Sequence, residues 1–279
     1  MTVFSLPSPI LAVHHSFNLK LMLTTTEWIL IAGGLASGLL AGLLGIGGGT
    51  LLVPILIALH YSYPQSVATS ILAIVMTSVS GSLQNWRMGY LKLDQVILLG
   101  LPGTFTALVG AHLASELPRY SLEAAFGVLL LLNIYLTNLR QKLADRSQTH
   151  HSTKISPFIA RLLTGGAAGF LAGLFGVGGG VILVPLQMLF LGEKIKVAIQ
   201  TSLGAIVITS VAAFIGHWHE GNVLFLPGVI LGIGGLLGVQ ASTRYLPKLS
   251  DRTVKICFIA LLVALSIYFF WRACISFLG

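Results

Sequence analysis

The chain has 279 residues, 55% of them hydrophobic and only 9% charged, with a mean hydropathy of +0.92. Soluble domains carry about 25% charged residues, and eight acids cannot keep a globule this apolar in water. The net charge of +8 does not point to nucleic acid, because the basic residues lie at the ends of apolar stretches, where membrane topology wants them.

Residues 1–26 read as an N-terminal extension outside the membrane fold. Lys20 is their only Lys or Arg, and no charged head precedes an apolar run as in a cleaved signal. Five apolar runs follow, at roughly 27–44, 49–60, 67–86, 95–114 and 120–140. After a polar stretch, five more occur near 158–175, 180–191, 198–218, 223–243 and 252–273. Spanning a bilayer takes about 20 apolar residues, so the longer runs are candidate spans and the second of each set is short. The expected organisation is therefore a first membrane repeat at 27–140, a cytoplasmic link at 141–157 and a second repeat at 158–279, all one integrated domain.

The two sets of runs are copies. Residues 41–54 (AGLLGIGGGTLLVP) and 172–185 (AGLFGVGGGVILVP) agree at ten of fourteen positions. Thr69-Ser70 answers Thr201-Ser202, Trp86 answers Trp218 and Gly89 answers Gly221, at a common offset of 132. A Gly-interrupted apolar segment at matching places of two halves marks a transporter built from repeats, with its site at the break.

Charge sets the orientation of the copies. With five segments per half, or three spans plus a re-entrant hairpin, and the link in the cytoplasm, thirteen Lys and Arg fall inside and three outside. Four spans per half would give parallel copies and divide the same residues nine to seven. The bias favours inverted copies. The expected fold is an all-α polytopic membrane protein of two inverted repeats, about five hydrophobic segments each, with Gly-rich broken helices or hairpins near the midplane.

Gly34, Gly38 and Gly42, and likewise Gly165, Gly169 and Gly173, recur every four residues and line one helix face, where another backbone can come close. The runs Gly45, Gly47, Gly48, Gly49 and Gly176, Gly178, Gly179, Gly180 are different. Each Gly costs about 1 kcal/mol relative to Ala in a helix, so three in a row break it. Unpaired backbone groups in lipid cost several kcal/mol each, so the break must be buried in protein or line a wet cavity. New segments begin at Thr50 and Val181 and run through Pro54 and Pro185. Their first N–H groups carry partial positive charge, and bare Gly backbone admits a ligand closely. Two readings stand: a paired anion cradle at the midplane, or tight hairpin tips with a packing role only. A nucleotide loop is a weaker reading, because no G-K-[ST] follows and no βαβ unit surrounds the motif.

Thr69 and Ser70, and Gln200, Thr201 and Ser202, sit early in the segment after each motif. Their polar groups either face an oxyanion or bond back to their own helices. Asn85, Arg87 and His217 end the third run of each half and are candidates for gating or coupling. Trp86 and Trp218 read as interface anchors. Acids are nearly absent from the apolar runs, and no metal-ligand or hydrolase constellation is visible, so neither metal nor cofactor is expected.

At the doubled G-L-[LF]-G-[IV]-G-G-G-x-[LI]-[LI]-V-P, the following [AQ]-T-S and the turn around Arg87–Leu93, the chain resembles the sulfite exporter TauE/SafE family over residues 27–273. The resemblance implies a multi-pass inner (plasma) membrane carrier of small sulfur oxyanions, such as sulfite, thiosulfate or sulfonates. The family's Gly-rich stretches map onto Gly45–Gly49 and Gly176–Gly180, its prolines onto Pro54 and Pro185, and its Thr-Ser pairs onto residues 69–70 and 201–202. Many relatives are Arg-rich at both copies of the turn, whereas here the second reads GHWHEG at 216–221, without Arg.

The expected function is alternating access by rocking one repeat against the other, not enzymatic catalysis. A passive anion channel and a carrier of another small anion, such as a carboxylate, are the alternatives. The expected partners are the anionic solute, membrane lipid and further copies of the chain, with no nucleic acid.

Overall fold

The computed structural model describes residues 25–146 and 156–278. These form ten α-helices: α1 (Thr25–Leu44), α2 (Gly49–Ala58), α3 (Tyr63–Arg87), α4 (Leu93–Glu116), α5 (Arg119–Arg146), α6 (Pro157–Phe175), α7 (Gly180–Phe190), α8 (Ile195–His219), α9 (Phe225–Tyr245) and α10 (Asp251–Leu278). Eight are long and apolar enough to cross a membrane, while α2 and α7 are short. Among the described residues there is no strand, and the protein is an all-α polytopic membrane protein.

Local chemistry moves two boundaries from their expected places. The third run begins at Tyr63 rather than 67, because Ser62 and Gln65 form a reciprocal capping box with a proline in the first turn. The fifth helix continues to Arg146, so the expected link at 141–157 opens as helix. Residues 141–146 (QKLADR) are adequate to good helix formers without Gly or Pro, and nothing there stops propagation. Residues 1–24, most of the expected N-terminal extension, lie outside the described residues.

The short helices fold back on the ones before them. Ser37 of α1 donates its hydroxyl to the Gly48 carbonyl at 2.9 Å, and a Cβ on Gly33 would meet Ile55, so α1 and α2 run antiparallel as a hairpin. In the second copy a Cβ on Gly179 would strike the Ala168 carbonyl, which sets α7 against α6 in the same way.

Corresponding helices of the two copies run in opposite directions where they meet. Ile74 and Ile206 occupy one level at the middle of α3 and α8, while Gly81 of α3 lies against Leu203 of α8. The Gly faces of α1 and α6 do not pack on each other but on the other copy. A Cβ on Gly34 or Gly38 would overlap the carbonyl of Leu231 or Gly235 in α9. One on Gly165, Gly169 or Gly173 would overlap that of Leu99, Gly103 or Ala107 in α4. Such contacts let backbones touch where lipid supplies no hydrophobic drive.

The helices therefore sort into two exchanged bundles. One holds α1, α3 and α9; its pseudo-symmetric equivalent holds α6, α8 and α4, with α3 against α8 as the seam. The remaining pair, α5 and α10, packs at the periphery through Phe126 and Phe269, 4.6 Å between ring centres. These interlocked Gly faces tie each copy to helices of the other.

Candidate functional site

The two Gly breaks meet at the centre of the fold. Gly45, Gly47 and Gly48 all have φ between 69° and 86°, and Gly176, Gly178 and Gly179 between 68° and 75°. Side chains strain that left-handed region, which explains glycine at these six positions. Gly48 and Gly179 serve as the N-caps of α2 and α7, with no side chain capping either.

Each break is clasped by a serine from the other copy. Ser202 donates its hydroxyl to the Gly45 carbonyl at 2.9 Å, and Ser70 donates to the Gly176 carbonyl at 2.9 Å. The tips also touch directly: a Cβ on Gly49 would overlap the Gly176 carbonyl, and one on Gly180 the Gly45 carbonyl. Ile74 and Ile206 close over Gly47 and Gly178 from α3 and α8. All residues of both breaks are buried, so the two tips form a closely packed centre.

Closure leaves main-chain donors unused. None of the N–H groups of Ile46 to Thr50, or of Val177 to Val181, donates to another described residue. Thr50 is fully buried, and its hydroxyl has no partner among the described residues. Pro54 further removes the N–H that would bond the Thr50 carbonyl. The equivalent residue Val181 has no hydroxyl, so the two tips are chemically unequal. Buried polar groups without partners are costly, and so many in one place single out this centre chemically.

The other expected residues divide. Thr69 accepts at its hydroxyl oxygen from the Leu224 N–H at 3.1 Å, at the start of α9. Gln200 and Thr201 are buried on the turn of α8 that carries Ser202. Asn85 is fully buried, and neither its amide nitrogen nor its oxygen has a partner among the described residues. His217, the equivalent of Asn85, places Nε2 2.9 Å from the Gly173 carbonyl, an orphan acceptor in the last turn of α6. With Tyr63 and Asn222 it also lines a void of about 10 Å³, room for roughly one water. Arg87 is exposed at the end of α3, away from the breaks. Pro54 and Pro185 lie inside their helices, α2 and α7.

One buried cluster escaped the sequence reading. Glu123 of α5 is wholly buried, against the expectation that acids avoid the apolar core. Its Oε1 lies 3.0 Å from Arg119 Nε and 3.6 Å from Arg272 Nε of α10, while Oε2 has no partner among the described residues. The signal was the i, i+4 spacing of Arg119 and Glu123 at the head of an apolar run. There both charges read as segment-end residues.

Two short helical hairpins meeting between bundles of long apolar helices fit the class of membrane transporters. The chain belongs to the sulfite exporter TauE/SafE family, whose model matches residues 30–269. Relatives include the probable membrane transporter protein YunE of Bacillus subtilis, 26% identical over 81% of this chain and 90% of that protein. A probable membrane transporter protein of Methanocaldococcus jannaschii is 26% identical over 86% of this chain and 94% of its own length. No solved structure matches the chain.

Proposed function

We propose that the chain is a secondary transporter of a small sulfur-containing anion (sulfite, thiosulfate or an organosulfonate) across the plasma membrane. The anion sits at the two breaks when the bundles part. The observation that supports this reading most is the set of unused N–H groups at the starts of α2 and α7, beside the unpaired Thr50 hydroxyl. Oxyanions complement such donors without a formal positive charge. The family description adds the sulfur chemistry.

Burial of both tips supports alternating access as the mode of transport. Sliding α3 along α8 would lift Ile74 and Ile206 from the tips toward one side or the other. The mixed bundles would move as units, and Asn85 and His217 mark equivalent ends of the two central helices. A passive channel is a poorer fit, because the tips and both isoleucines close the centre.

The test is flux of labelled sulfite, thiosulfate, a sulfonate and a carboxylate into proteoliposomes holding the purified chain. Saturable flux of one sulfur anion, competed by unlabelled anion, is expected. Saturable flux of the carboxylate alone would transfer the reading to that class, and no flux of any small anion would overturn it.

A further inference from the structure

The void beside His217 adjoins the second break. Val67 of α3 lines it, and the same side chain is what a Cβ on Gly176 would meet. Pro64 of α3 and Ser115 of α4 border the void and are exposed, whereas Tyr63, Val67 and His217 are buried. The void thus runs from surface residues to His217, with one valine between it and the break.

His217 is built to take a proton there. A carbonyl only accepts, so the 2.9 Å contact with Gly173 puts the ring hydrogen on Nε2. Nδ1 has no partner among the described residues and keeps its lone pair. A proton added at Nδ1 makes a cation without breaking the Nε2 bond. That cation would stand at the carbonyl end of α6, where the helix dipole complements positive charge. The other titratable groups nearby are placed differently. Tyr63 is acted on by Arg119 and Glu123 of α5, which pair with each other. His112 and Glu116 of α4, and His219 and Glu220 just after His217, are exposed, and Glu220 lies 3.6 Å from His112. The one charged residue of α6, Arg161, is near its opposite end.

We infer that His217 carries a proton, delivered through the void, together with the anion, so that the chain is an anion–proton symporter. The inference rests on the anion-carrier reading above and adds its coupling ion. Burying an anion without a counter-charge is costly, and the breaks offer N–H groups but no formal charge; a proton on His217 lowers that cost.

The experiment is influx of labelled sulfite, thiosulfate and methanesulfonate into proteoliposomes, with pH equal on both sides or acidic outside. The wild-type chain is expected to respond to the gradient with several-fold faster influx, abolished by a protonophore. H217Q keeps an amide donor for the Gly173 carbonyl but has no ionisable group. It is expected to retain measurable exchange of labelled for unlabelled anion while losing the gradient response. H217N, which copies the equivalent Asn85, gives the same comparison if H217Q fails to fold. H219Q, at an exposed site, is expected to match the wild type. Protonation of the solute itself is common to all variants, so the difference between them belongs to His217. A wild type indifferent to the gradient, a full response in H217Q or H217N, an equal loss in H219Q, or loss of exchange together with the response would overturn the inference and leave the carrier reading in place. No flux of any of the three anions would sink both.

Discussion

The Ser202 hydroxyl lies 2.9 Å from the carbonyl of Gly45, a residue of the opposite copy 157 positions away, within reach of its one hydrogen. The same hydroxyl also lies 2.8 Å from the Ile199 carbonyl of its own helix. The bond across the copies therefore fixes the depth of the first hairpin tip relative to α8, and Ser70 does the same for the second tip and α3.

Removing either clasp should loosen one tip. S202A or S70A is expected to lower stability by about 1 kcal/mol, the net worth of a buried hydrogen bond. The double variant should depart from the sum of the two, because each clasped carbonyl lies against the other tip. Thermal unfolding in detergent checks this; no loss in either single variant would show that the clasps are idle.

Thr50 offers the sharpest separation of stability from function. T50V deletes an unpaired buried hydroxyl and makes the first tip match the second, which carries Val181. It is expected to raise stability by about 1 kcal/mol or more, since the hydroxyl is desolvated without return. The same variant is expected to cut anion flux several-fold. Unchanged flux would remove Thr50 from the substrate's contacts.

Adjacent glycines on α6 should respond in opposite ways. A Cβ on Gly165 would overlap the Leu99 carbonyl, whereas one on Gly166 would meet only the Thr106 methyl at 3.9 Å. G165A is expected to cost about 1–3 kcal/mol, the range for overpacking. G166A should be neutral or stabilising by up to about 1 kcal/mol, because Ala is the better helix former. Equal unfolding midpoints would contradict the exchanged packing of α6 on α4.

The Glu123 cluster should be asymmetric to truncation. Its arginines are partly exposed, with side chains 41% and 22% accessible, while the carboxylate side chain is fully buried. E123A takes away the acceptor that Arg119 shares with the buried Nε of Arg272 and should cost about 1–3 kcal/mol. R119A/R272A strands a buried negative charge and should cost about 3–5 kcal/mol. Comparing the unfolding of the two variants tests whether burial, rather than pairing, dominates there.

Much of this architecture is legible in the residues. The doubled AGL-x-G-x-GGG string marks both breaks, and Gly34, Gly38 and Gly42 mark a face made for close approach. Spacing identifies a face but not its neighbour, so nothing in the string says that α1 lies on α9. Ile74 and Ile206 look like any isoleucine in a membrane helix, and their closure over the tips rests on three-dimensional crossing alone. Glu123 sits one turn inside its run, where a charge reads as a segment end. Its burial follows from Arg272 arriving on a helix 149 residues further on.

The exchange of helices ties the two halves of the chain to each other. Since each bundle draws members from both halves, neither half can complete a bundle with its own helices. The copies still differ at their tips, where one carries Thr50 and the other Val181.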